Sequence, residues 1–94
     1  MYDTLLAKKY VSHSIRRAQE RYQVRLSENQ LCEISAIILS GKAVLKKHSY
    51  KKRDIYKVSY YSRNFVIVFD RLQELPVTFL PHKCLRHMQI LEAA

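Results

Sequence analysis

The chain has 94 residues, which is enough for one small core and too few for two. Its 17 Lys and Arg against 8 Asp and Glu give a formal net charge of +9, so its surface is expected to attract polyanions. An apolar share of 48% with one Gly and two Pro excludes a low-complexity linker, and two Cys exclude a disulfide scaffold.

Excess positive charge suits nucleic acid, an acidic protein partner or an anionic membrane, and charge alone does not separate them. Nucleic acid is expected first. A membrane partner is not expected, because no apolar run approaches the ~20 residues of a membrane helix. The opening Met1-Tyr2-Asp3-Thr4-Leu5-Leu6-Ala7-Lys8-Lys9 lacks the long apolar stretch of a secretion signal, so the expected compartment is the cytoplasm. His82, Cys84 and His87 cluster near the C-terminus, but their spacing fits no standard zinc pattern and a fourth ligand is missing. Neither a metal nor another cofactor is expected.

In chain order, the first ten residues are expected to form a short helical turn with Leu5 and Leu6 on the core. Ser12 then caps a first helix over 12–23, in which Ile15, Ala18 and Tyr22 define one buried stripe. Ser27-Glu28-Asn29-Gln30 is a capping box, and Leu26 with Leu31 occupies the two positions of a hydrophobic staple. These place a second helix over 28–40, with an apolar face around Leu31, Ile34 and Ile38. Gly41 falls where a left-handed helix end is wanted.

Beyond Gly41 the pattern turns to alternation, predicting strands over 43–49, 54–61, 64–70 and 75–80. The breaks at 50–53, 62–63 and 71–74 are short enough to demand an antiparallel meander. Pro76 predicts that the start of the last strand lies on an edge or carries an unpaired position. The third strand is apolar on both sides and so is expected to be central. The fold class expected is α+β: two N-terminal helices on one face of a four-stranded antiparallel sheet. Leu85, Met88 and Leu91 recur at helical spacing in the tail, compatible with a short C-terminal helix.

On the first helix, His13, Arg17 and Glu20 lie opposite the buried stripe, with Arg16 and Arg21 beside them. Histidine exchanges a proton near neutral pH and arginine grips phosphate, the two group types that metal-free RNA cleavage needs. A solvated charged face is the plainer alternative. Lys46, Lys47, His48, Lys51, Lys52 and Arg53 form the densest basic cluster, with Tyr50, Tyr56, Tyr60 and Tyr61 within or near it. Cations interleaved with rings suit single-stranded nucleic acid, although a lysine-rich turn also keeps a sheet soluble. Thr78 faces away from Val77 and Phe79, where its hydroxyl would reach a phosphate or simply favour a strand.

His13-x-x-x-Arg17, Glu20-Arg21-Tyr22, the Ser-Gly-Lys-Ala-Val-Leu run at 40–45, Arg53-x-x-Tyr56-x-Val58, Phe65-Val66-Ile67-Val68-Phe69-Asp70 and Val77-Thr78-Phe79-Leu80-Pro81 together carry a resemblance. Over residues 12–81 the chain resembles the superfamily of RelE-type messenger-RNA interferases, barnase-like nucleases and colicin or contact-inhibition ribonuclease toxins. The likeness is one of element order and scattered residues. It implies metal-independent RNA cleavage, with His13 moving a proton, Arg17 and Arg53 clamping phosphate, Thr78 as a phosphate or oxyanion ligand and Tyr60 as a partner. Arg16, Arg21, Lys46, Lys47, His48, Lys51, Lys52, Tyr56 and Tyr60 then bind RNA. It also implies an acidic antitoxin or inhibitor. Families in this group differ in which positions are catalytic, and RelE-type toxins often lack a catalytic histidine. A noncatalytic nucleic-acid-binding module and an inactive toxin relative with an acidic partner remain the alternatives.

Overall fold

The computed structural model describes residues 4–48 and 52–83. One helix, α1 (Thr4–Tyr22), replaces the expected turn and separate helix. Its buried stripe of Ala7, Tyr10, Ser14, Ala18 and Tyr22 recurs every three or four residues, so the helical period continues back through Ser12. Ser12 is therefore an exposed interior residue rather than a cap, and Leu5 is 81% exposed rather than packed on the core. Leu6, by contrast, packs beside Ala7, Tyr10, Leu75 and Val77. At the far end Gln23 turns to a positive φ of 54°, and Arg63 donates to the terminal Tyr22 carbonyl at 2.7 Å.

The second helix, α2 (Glu28–Leu39), begins as expected. Ser27 Oγ accepts from the Gln30 amide at 3.2 Å while Gln30 Oε1 accepts from the Ser27 amide at 2.8 Å, so two orphan helix donors are satisfied. It stops because Gly41 takes φ +81°, which lets the Gly41 and Lys42 amides reach back to the Ile38 and Ile37 carbonyls, each at 3.1 Å.

Four antiparallel strands follow in the spatial order of the sequence: β1 (Val44–His48), β2 (Arg53–Tyr60), β3 (Arg63–Asp70) and β4 (Leu75–Leu80). The β2–β3 turn is the pair Tyr61 and Ser62, both at positive φ, the twist that matches a two-residue hairpin. The expected α+β meander is thus the observed one. Val58, Phe65, Ile67, Phe69 and Phe79 line the sheet face that meets Ala18 and Tyr22 of α1 and Leu31, Ile34 and Ile38 of α2. Tyr22, Phe65 and Phe79 meet edge to face, with ring centroids 4.9 to 6.2 Å apart. Full burial of each such aromatic contributes about 1.5–3 kcal/mol.

α1 lies along β4, the strand that would otherwise expose an edge. Ser14 Oγ donates to the Pro76 carbonyl at 3.0 Å, Arg21 to that of Phe79 and Tyr22 to that of Leu80. Covering a free edge in this way suppresses pairing with other chains. Pro76 sits on this edge strand, beside a register shift between Val68 and Phe69, where its missing N–H costs nothing. No described helix is long and apolar enough to cross a membrane. The expected C-terminal helix, with Cys84 and His87, lies outside the described residues.

Candidate functional site

The outward side of α1 carries Lys8, Lys9, Ser12, His13 and Arg16 on one stripe. With Tyr10 and Val77 these residues line an open groove of about 660 Å³. No carboxylate is among its lining residues. Tyr10 extends the cluster: its hydroxyl accepts from Arg53 at 3.3 Å and donates to Asp70 Oδ2 at 3.1 Å. Asp70 Oδ1 meanwhile accepts the Leu72 and Gln73 amides, at 2.8 and 3.0 Å, and so fixes the β3–β4 turn. One buried carboxylate therefore anchors the tyrosine that holds Arg53 near the α1 groove.

His13 is half-buried, and an Arg16 guanidinium nitrogen lies 3.2 Å from its Nδ1. Guanidinium has no acceptor, so a hydrogen bond between them uses Nδ1 as acceptor, a role open only to the tautomer with its proton on Nε2. Burial, then Arg17, Arg16 and Arg21, lowers the His13 pKa below the ordinary 6.5, with Glu20 opposing. The contact and the electrostatics both favour the neutral ring over the charged one.

Of the residues expected to act with His13, Arg17 pairs with Glu20 at 2.9 Å and lies outside the groove lining. Arg53 is also outside the groove lining and touches only the hydroxyl of Tyr10, which is part of it. Thr78 faces the opposite side of the sheet, across from Val68, and its buried Oγ1 has no hydrogen-bond partner among the described residues. The four are not gathered in one cleft.

Among the expected RNA-binding residues, Arg16 lines the groove, whereas Arg21 spends its guanidinium on β4. Tyr60 requires a correction. It is 8% exposed with its hydroxyl donating to Glu33, and burial with that bond pushes its pKa up to about 12. A ring so enclosed offers no face to a base; it ties β2 to α2 instead. Tyr56 is half-buried against Phe69, its pKa raised by burial and by Asp54. Lys47 and Lys52 are exposed, Lys46 is half-buried at a bulge, and Lys51 lies outside the described residues.

His48 has surroundings that sequence reasoning missed. Its Nδ1 lies 2.9 Å from Oδ1 of Asp54, whose side chain is 3% exposed, while the imidazole is 60% exposed. Arg71 Nε lies 3.6 Å from the other carboxylate oxygen. The available signal was an aspartate at position 54 in phase with Tyr56, Val58 and Tyr60 on the buried face of a strand. A carboxylate there must find charged partners. The chain matches no protein-family model, no curated protein and no solved structure.

Proposed function

We propose that the protein binds RNA along the α1 groove and cleaves it without a metal, as a toxin-like endoribonuclease. The observation that carries this reading is a histidine of lowered pKa set among Lys8, Lys9 and Arg16 in a groove lined by no carboxylate. Cations hold the phosphate chain, and a neutral imidazole removes the ribose 2′-OH proton once its Nδ1, or Nε2 after tautomerisation, turns to the substrate. The 2′-oxygen then attacks phosphorus as the 5′-oxygen leaves and takes a proton from water, and arginine stabilises the charge that builds on the phosphorane. The groove's lining holds no carboxylate, the ligand through which a magnesium ion is usually bound. The resemblance to the RelE, barnase and colicin superfamily supports the same chemistry and the expectation of an acidic inhibitor.

The alternative, a noncatalytic binding module, is favoured by one feature: Arg16 already occupies His13 Nδ1. Incubating labelled single-stranded RNA with the protein in EDTA separates the two. Cleavage that falls about 100-fold in His13→Ala supports the proposal; intact RNA, bound and salt-sensitive, supports the module.

A further inference from the structure

We propose that a second depression, on the α2 side of α1, receives a guanine base of the bound RNA, and that the Glu28 carboxylate selects it. Residues on a helix step by roughly 100°, so Lys9, His13 and Arg16 fall to one side of the line through Lys8 and Ser12, and Thr4, Ala7 and Val11 to the other. The first three line the groove already described. The second three, with Glu28, line an open depression of about 450 Å³, within the range of small-ligand sites. Lys8 and Ser12 line both and form the ridge between them. A phosphate held on that ridge by the Lys8 ammonium and the Ser12 hydroxyl places its nucleotide's base in the second depression while the chain continues past His13.

The lining suits a flat ring with donors along one edge. Ala7 is buried and Val11 is half-buried against the core, so short apolar side chains form the inner wall. Glu28 stands in the first turn of α2, which the capping box of Ser27 and Gln30 holds in place. It is the one acid of this lining, and its carboxylate has no hydrogen bond or ion pair among the described residues. An ionised carboxylate accepts and never donates. Among the four bases, guanine alone offers two adjacent donors, N1–H and the 2-amino group, which two carboxylate oxygens accept side by side. Adenine and cytosine set a ring-nitrogen acceptor beside their amino group, and uracil flanks its N3–H with two carbonyls. Each of these turns a lone pair towards Glu28, a repulsion that guanine escapes.

The source of the guanine rests on the RNA reading, but the site is testable alone. Guanosine, adenosine, cytidine and uridine 3′-monophosphates are titrated separately into the whole protein while the Ala7 and Val11 methyl signals are followed by NMR. The proposal expects the guanine nucleotide to bind about tenfold or more tighter than the other three. Glu28→Gln keeps the capping box but replaces two acceptors with one acceptor and one donor. Its preference should therefore move from guanine to adenine, whose 6-amino group and N1 match a side-chain amide. Glu74→Gln, in the β3–β4 turn, leaves the guanine preference intact. No methyl shift, equal binding of the four nucleotides, or a guanine preference that survives Glu28→Gln would overturn the assignment. RNA cleavage in EDTA keeps the two failures apart. Cleavage with no preference for guanine removes the base site alone; inert RNA with a Glu28-dependent preference for guanosine monophosphate removes the nuclease reading and leaves the base site standing.

Discussion

Tyr22→Phe removes one oxygen atom that joins α1 to two strands. The hydroxyl accepts from the Val66 amide at 3.0 Å and donates to the Leu80 carbonyl, standing between β3 and β4 where their pairing ends. Val66 is fully buried, whereas Leu80 is half-buried and has some recourse to water. An unpartnered buried amide costs about 1–3 kcal/mol and the carbonyl adds a smaller loss, so the substitution should destabilise by about 2–3 kcal/mol. Phenylalanine keeps the edge contacts with Phe65 and Phe79, which isolates the hydroxyl from the packing. A domain of this size has about 5–14 kcal/mol of stability, so urea unfolding followed by circular dichroism resolves the change. A loss below about 0.5 kcal/mol, with an unchanged urea slope, would refute the bridging role.

In the nuclease reading, His13 acts in its neutral form, and its pKa lies below 6.5. The cleavage rate should therefore stay flat at neutral pH and fall as acid protonates the ring; Arg16→Gln, by removing a nearby positive charge, should move that limb to higher pH in the rate profile and in the NMR titration alike. Tyr60, raised from 10.0 to about 12, holds its proton more tightly folded than unfolded, so the stability it contributes is complete below about pH 10 and lost as pH rises towards 12. Glu33→Gln should shrink that alkaline loss, measured by urea midpoints across the range. Thr78→Val removes a buried hydroxyl with no partner among the described residues and should raise stability by about 1 kcal/mol.

The start and end of α2 were legible because Ser27, Gln30 and Gly41 act locally, through bonds within a few residues. The strands were legible from alternation, and Pro76 from its missing donor. α1 was misjudged because its buried stripe includes Tyr10 and Ser14, polar residues that enter the core only because Asp70 and the Pro76 carbonyl meet them from 60 and 62 residues away. The same dependence on distant partners hid the sites. Nothing local to His48 announces the bulge at Lys46 that sets it on Asp54, nor the reach of Arg71 across the sheet end. Tyr60 counted as a stacking ring until Glu33 and the core enclosed it.

The affinity for a short single-stranded RNA, measured by fluorescence anisotropy over a range of salt, tests the groove most directly. Lys8, Lys9 and Arg16 line it, and three phosphate contacts imply a log–log slope of about −2.1. Arg16→Gln should make the slope shallower by about 0.7, while Lys42→Gln, beyond the C-cap of α2, should leave it unchanged. Equal slopes for wild type and Arg16→Gln would contradict an RNA-binding groove on α1.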